Sequence, residues 1–359
     1  MQTAHKFFYE DSRKLSAVRS AHIDLVITSP PYPMIEMWDE QFCALNPDIA
    51  LYLQRSDYNR AFEMMHRELD LVWSELYRVM KEGALACINI GDATRTNNKR
   101  FQLFANHARI QNKFFDLGFA VLPMIIWRKQ TNAPNKFMGS GMLPAGAYVT
   151  LEHELILIFR KGSRRSFDSA EDKHKRRLSA YFWEERNAWF SDLWEFKGVR
   201  QEINNRELRS RSAAYPFALP FRLLNMFSVY GDTVLDPFSG TGTTALAAMA
   251  AGRHSVNCEM EKGFSPAVKD RIAAEAPGLH IYNRERVSGH LEFVADSQKA
   301  GKEVNYFNSY FGFPVKTAQE QDLKLLFTAS VAEVGAGLFQ ASYLEDQFAQ
   351  ALDFEQLAL

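Results

Sequence analysis

The sequence predicts an α/β fold, and three observations carry that reading. Short apolar runs alternate with helix-patterned stretches through most of the chain. Two of those runs end in segments that read as ligand loops, Ser29-Pro30-Pro31-Tyr32 and Asp236-Pro237-Phe238-Ser239-Gly240-Thr241-Gly242-Thr243-Thr244. The chain has 359 residues, 47% hydrophobic and 24% charged, enough to bury a core of one large domain or two.

The elements follow in order. His22 to Ile27 reads as a buried strand with Ser29 to Tyr32 just past its carboxyl end. Tyr58 to Met80 has helical period, with Met65, Leu69, Val72, Trp73 and Leu76 on one face and Gly83 placed to stop it. Ala84 to Ile90 is a second strand, and Phe101 to Leu117 a helix closed by Gly118. Phe119–Trp127 and His153–Phe159 are two more strands, with no helix-patterned crossover between them, so they are expected to pair antiparallel. The glycine- and proline-rich stretch Thr131 to Ala147 between them predicts a long loop, of the kind used as a lid or binding loop. Pro220 to Tyr230 reads as a helix ended by Gly231, and strand, loop, helix and strand follow from Thr233 to Asn257.

Composition narrows the function. No apolar stretch is long enough to span a bilayer and the amino-terminal residues lack a secretory pattern, so a cytoplasmic protein is expected. Cys43, Cys87 and Cys258 are too scattered for a disulfide framework or a zinc site, and no metal is expected. Net charge is −1, yet residues 160–211 hold fourteen Lys/Arg against nine Asp/Glu. Such a basic segment suits phosphate contact, and Arg164, Arg165, Lys175, Arg176, Arg177, Arg209 and Arg211 are its candidate DNA-binding residues. Trp183, Trp189 and Trp194 in the same region read as its local core rather than as wedges.

The downstream loop has a cofactor logic. Gly240 and Gly242 permit a tight turn and close backbone approach, and Thr243 opens an alanine-rich helix whose amino-terminal amides suit an anion. Glu259 stands nineteen residues after Gly240, where an acid can accept from both hydroxyls of a ribose. The signal is for a nucleoside-containing ligand. A dinucleotide stays open, although only two glycines precede the helix and bulky Phe238 suits S-adenosylmethionine better.

The upstream loop has a catalytic logic. An exocyclic amino group on a base is a poor nucleophile because its lone pair is delocalised into the ring. Two acceptors aimed at the amino hydrogens localise that pair, and the Ser29 hydroxyl with the Pro30 carbonyl can supply them. Pro30 and Pro31 hold the backbone, and Tyr32 can stack on the ring. A base within a duplex has to be flipped out to reach such a pocket.

These segments resemble the DNA amino-methyltransferases of the beta order, in which the catalytic segment precedes the cofactor segment. The resemblance covers residues 5 to 275: Tyr9-Glu10-Asp11-Ser12, Thr28 to Tyr32, Glu152 to Lys161, Tyr215 to Pro220 and Asp236 to Thr244. It implies a Rossmann-like S-adenosylmethionine-dependent sheet with an antiparallel terminal strand, circularly permuted motif order and an inserted recognition region. By that resemblance Asp11 contacts the cofactor adenine, Glu259 the ribose, and Asp236 the methionine end. Thr28, Pro237, Phe238, Ser239, Gly240, Gly242, Thr243 and Thr244 complete the cofactor set. Ser-Pro-Pro-Tyr implies N4-cytosine as target, with N6-adenine as the alternative. Tyr215 and Phe264 depart from the family's usual His and Tyr.

The expected organisation is a catalytic half over 1–160, a target-recognition region over 161–212, a cofactor half over 213–289 and a mainly helical extension over 290–359. Double-stranded DNA is the expected partner, a cognate restriction endonuclease a candidate one, and the assembly a monomer or homodimer. A nicotinamide oxidoreductase, a non-catalytic DNA-binding protein and an RNA or protein methyltransferase are the rivals. The reading requires Ser29 and Gly240 to meet at one cavity.

Overall fold

The computed structural model describes residues 1–97, 100–129, 138–198 and 215–344. Ten strands form one sheet: β1 Gln2–Phe8, β2 Ile23–Thr28, β3 Met80–Ile90, β4 Phe119–Arg128, β5 His153–Lys161, β6 Leu193–Glu195, β7 Thr233–Asp236, β8 His254–Cys258, β9 Thr328–Gly335 and β10 Leu338–Tyr343. Their order is β6-β4-β5-β3-β2-β7-β8-β1-β10-β9. Strands β3, β2, β7, β8 and β1 run parallel, and β5 enters antiparallel between β3 and β4. The expected antiparallel strand therefore lies inside the sheet.

Ten helices are described: α1 Asp39–Leu45, α2 Asp48–Gln54, α3 Tyr58–Val79, α4 Asn106–Asp116, α5 Ala170–Leu178, α6 Trp183–Trp189, α7 Ala218–Phe227, α8 Thr243–Ala251, α9 Phe264–Glu275 and α10 His280–Lys299. Every residue of β2 is buried, and its side chains alternate between two cores. Leu25 and Ile27 join the layer of α7 and α8, while Val26 joins that of α3 and α4. Helices on both faces explain why β2 reads as a continuous apolar run rather than an alternating one. Each such fully buried aliphatic side chain contributes about 1.5–3 kcal/mol relative to exposure.

Several expectations need correction. Helix α3 ends at Val79, and Gly83 lies inside β3 instead of stopping the helix. Its φ is +80°, and a Cβ there would sit 2.7 Å from the backbone nitrogen of Arg165. Gly83 makes room for another chain segment, a need that local sequence does not reveal. The helix expected from Phe101 is shorter, because Arg100–Phe104 pairs with Ala93–Asn97 as a hairpin and α4 starts only at Asn106. The long loop of 131–147 holds a small hairpin of Met138–Gly139 with Ala147–Tyr148, and 130–137 lie outside the described residues.

The described part of the recognition region, 161–198, is more ordered than its irregular pattern suggests. It holds α5, α6 and β6, and β6 joins the sheet beside β4. Trp194 and Trp189 are buried as expected, whereas Trp183 is 41% exposed and stacks on Phe293. Beyond α10 the described residues are mainly not helical, against the expectation for 290–359. Strands β9 and β10 form a hairpin that extends the sheet past β1, driven by alternate burial of Phe339, Ala341 and Tyr343.

Candidate active site

The site follows from the sheet order. From β2 the chain moves to β3 on one side, and from β7 to β8 on the other. The gap between β2 and β7 is thus a switch point, where the loops leaving two neighbouring parallel strands part and open a crevice. Ser29 to Tyr32 leaves the carboxyl end of β2, and Pro237 to Gly242 leaves that of β7. A cavity of about 370 Å³ lies there, and its wall includes Ser29, Pro30 and Pro31 together with Asp236, Pro237, Phe238, Ser239 and Gly240. The two distant loops meet as the sequence reading requires.

Asp236 is 2% exposed and saturated with donors. Its Oδ1 accepts from the Thr28 hydroxyl at 2.6 Å and the Phe238 amide at 3.1 Å. Its Oδ2 accepts from the Tyr215 hydroxyl at 3.2 Å and the Thr244 hydroxyl at 2.5 Å. Thr28 and Thr244 are therefore holders of Asp236 and not part of the cavity wall. Burial raises the Asp236 carboxyl above its ordinary value, and these donors pull the other way. Phe238 also lines the cavity and packs edge-on against Trp73 of α3.

Gly242 shapes the loop from behind. Its φ is +85° and a Cβ would lie 3.3 Å from the Phe7 ring, so a side chain would be strained there. Thr243 lines the cavity and accepts from Arg271 at 2.8 Å. Across the cavity, Glu259 accepts from the Gly240 amide at 2.9 Å through Oε2 and from the Glu261 amide at 2.9 Å through Oε1. Burial raises its carboxyl too. Asp11 lines the wall and is gripped by Arg13, whose Nε donates at 2.8 Å and backbone amide at 2.9 Å. Burial alone would raise Asp11, but the Arg13 contacts outweigh it and hold the carboxyl below its ordinary value.

Tyr32, expected to stack on the ring, has a set of polar contacts that the sequence reading did not include. It is not part of the cavity wall, and its hydroxyl faces Ser29 at 2.9 Å, Asn89 at 2.9 Å and Glu154 at 3.0 Å. Burial, reinforced by the Glu154 charge, pushes the phenol well above its usual value, so it stays protonated. Sequence reasoning gave no role to Asn89, Glu154 or Tyr215. The available signals were a lone Asn in the apolar run of β3 and an acid opening the apolar run of β5.

The described basic candidates are not part of the cavity wall. Arg165 donates to Asp232 at 2.7 and 3.0 Å and lies 3.8 Å from Asp24, at the amino-terminal ends of β7 and β2. Arg164 is its neighbour, and the Lys175 ammonium sits beside Gly231 at that same edge. Arg176 lies over the Phe167 ring and Arg177 pairs with Asp322 at 3.7 Å. Arg209 and Arg211 lie outside the described residues. Away from the cavity, Glu184, His290 and Glu320 bring ligand-type atoms within 4.8 Å, a cluster that their spacing does not announce. Both His290 nitrogens are already engaged, with Glu184 and the Pro314 carbonyl, each at 2.8 Å.

Sheet and cavity define the chain as a Rossmann-like methyltransferase with permuted motif order. It belongs to the DNA methylase family, whose model matches residues 23–270, within the amino-methylating beta class. It is 47% identical over 347 residues to the type II methyltransferase M.MthZI of Methanothermobacter thermautotrophicus, covering 96% of each chain. It is 46% identical over 281 residues to the type II methyltransferase M.MjaI of Methanocaldococcus jannaschii, covering 75% of this chain and 91% of that one. Among solved structures it resembles TTHA0409 of Thermus thermophilus, complexed with S-adenosyl-L-methionine, at 31% identity and a TM-score of 0.58. That match covers 76% of this chain and 97% of the other.

Proposed function

We propose that the protein transfers a methyl group from S-adenosylmethionine to the exocyclic N4 of cytosine in double-stranded DNA, within a restriction-modification system. The observation that carries this reading is the single cavity shared by Ser29–Pro31 and the Asp236–Gly240 loop. The residues fit the cofactor. A glycine loop with open space at Gly240, the buried Asp236 and the half-buried Glu259, neither carboxylate with a cationic partner among the described residues, suit a nucleoside that carries positive charge. Asp236, held by Thr28 and Thr244, faces the charged end, while Glu259 and Asp11 face the ribose and adenine. Pro237, Phe238, Ser239, Gly240 and Thr243 form the wall between them, with Gly242 shaping the turn from behind. When bound, S-adenosylmethionine supplies an electrophilic methyl on its sulfonium.

The chain's own residues prepare the nucleophile. Ser29 and the Pro30 carbonyl accept from the amino hydrogens and localise the nitrogen lone pair, and Pro31 fixes the turn. The base enters flipped out of the duplex, and the transfer is direct. The cations of 164–177 stand at the opposite edge of the sheet, which supports DNA contact by loops beside the cavity instead.

Incubation with labelled S-adenosylmethionine and unmethylated DNA, followed by digestion to nucleosides, tests the reading. N4-methylcytosine is the expected product, and N6-methyladenine would move the target while leaving the enzyme class intact. Label in RNA or protein alone would overturn the proposal. Ser29→Ala should lower turnover about 100-fold or more with cofactor affinity nearly unchanged.

A further inference from the structure

Ser29 is the first member of a polar chain that runs away from the cavity. Its Oγ meets the Tyr32 hydroxyl at 2.9 Å, and that hydroxyl meets Glu154 Oε2 at 3.0 Å. Asn89 Nδ2 donates to the Tyr32 oxygen at 2.9 Å and to Glu154 Oε2 at 2.6 Å. Lys129 pairs with the other oxygen of Glu154. The members come from strands β3 and β5 and from the loops that follow β2 and β4, so the fold brings them together and local sequence does not.

The direction of the protons along this chain is fixed by chemistry. A carboxylate can only accept, so the single Tyr32 proton points at Glu154. The Tyr32 oxygen is then an acceptor towards Asn89 and Ser29. Ser29 must send its own proton to Tyr32, and its oxygen, which Asn89 Nδ2 also approaches at 3.4 Å, keeps a lone pair for the cavity. In the reverse polarity Tyr32 would donate to Ser29, and the Ser29 proton would confront the hydrogens of the target amino group. A serine, unlike an aspartate, can point either way, so something has to choose.

We propose that Glu154 is a positioning residue that makes this choice, setting the polarity of the hydroxyl chain so that Ser29 faces the target amino group purely as an acceptor. The inference rests on the reading of Ser29 given above. Asn89 enforces the same sense from the side, and Lys129 supplies the counter-charge that a partly buried carboxylate needs. No proton is transferred to Glu154 in this role. Its effect is on orientation.

The test uses the full chain with tritiated S-adenosylmethionine and unmethylated phage lambda DNA as methyl acceptor. Glu154→Gln keeps shape but adds an amide donor that can reverse the chain, and Tyr32→Phe removes the link. Each should lower kcat by about 10- to 100-fold, with the cofactor Kd within about twofold and the DNA KM within about threefold of wild type. The double variant should be no slower than the slower single variant, because both break one chain. Glu154→Gln at the wild-type rate, additive losses in the double variant, or a parallel loss of cofactor affinity would each overturn the proposal. If Glu154→Gln does not fold, Tyr32→Phe with unaltered rate overturns it alone. Ser29→Ala in the same assay separates the two readings. Full activity there removes the acceptor role itself, whereas a slow Ser29→Ala beside a fast Glu154→Gln removes only the positioning role.

Discussion

The two edges of the central sheet treat buried acids in opposite ways. At the amino-terminal edge, Asp24 accepts from Lys81 at 2.7 and 2.8 Å, and Asp232 accepts from Arg165 at 2.7 and 3.0 Å. At the carboxyl edge, Asp236 and Glu259 are held by hydroxyls and backbone amides. Neutral donors satisfy hydrogen bonding without cancelling charge. The acids of the amino-terminal edge are therefore neutralised in a clip, whereas Asp236 and Glu259 have no cationic partner among the described residues, even though Arg13 neutralises Asp11 in the same wall. Arg165 of the basic segment belongs to this clip, so its charge is engaged by Asp232.

This contrast can be broken most directly at Asp236. Asp236→Asn preserves volume but removes the charge, and cofactor affinity should fall about 100-fold or more, measured by calorimetric titration. Unchanged affinity would remove the distinction between the edges. The next test is pH. Burial raises both Asp236 and Glu259, so each takes up a proton at a pH above the ordinary carboxylate value of about 4. Cofactor affinity should therefore weaken on acidification from above that range, by up to about tenfold per pH unit for each group. The same shift has the opposite sign for the ligand-free protein. The folded form holds these protons more tightly than the unfolded chain, so their contribution to stability is present at low pH and is lost as pH rises through the raised values. Affinity that strengthens on acidification would contradict the assignment.

At the amino-terminal edge the expected effects are on stability. Arg165→Ala leaves Asp232 buried without its cation and should cost about 1–3 kcal/mol in denaturant unfolding, with turnover per folded molecule retained. A loss of DNA affinity at wild-type stability would instead return Arg165 to the DNA surface. The smallest effect belongs to Arg176→Ala and Arg177→Ala, for which the DNA KM should stay within about twofold and the salt dependence of binding should not flatten.

Much of the fold was legible because the strands are buried on both faces and their helices are amphipathic. The start of α8 at Thr243 was legible, and the structure bounds the helix with Gly242 and Gly252, which both take the left-handed backbone. What escaped depends on distant partners. Gly83 answers to Arg165, far along the chain, and β9 and β10 exist because β1 offers them an edge. The turn of Ser29 to Tyr32 was visible in four residues, yet the contacts of the Tyr32 hydroxyl were not. Its neighbours Asn89 and Glu154 come from strands β3 and β5, and only the sheet register sets them beside it.

Strand β1 has a consequence for how the chain is made. Gln2–Phe8 pairs on one side with β8 and on the other with β10, and His5 bonds to Ser255 across a separation of 250 residues. At a translation rate of about 5–20 residues per second, that strand waits roughly 12–50 s on the ribosome before its first partner emerges. Over that interval a half-polar strand with open backbone groups has to be kept from pairing with other nascent chains, so yield in the cell should respond to chaperone supply more than to the stability of the finished enzyme.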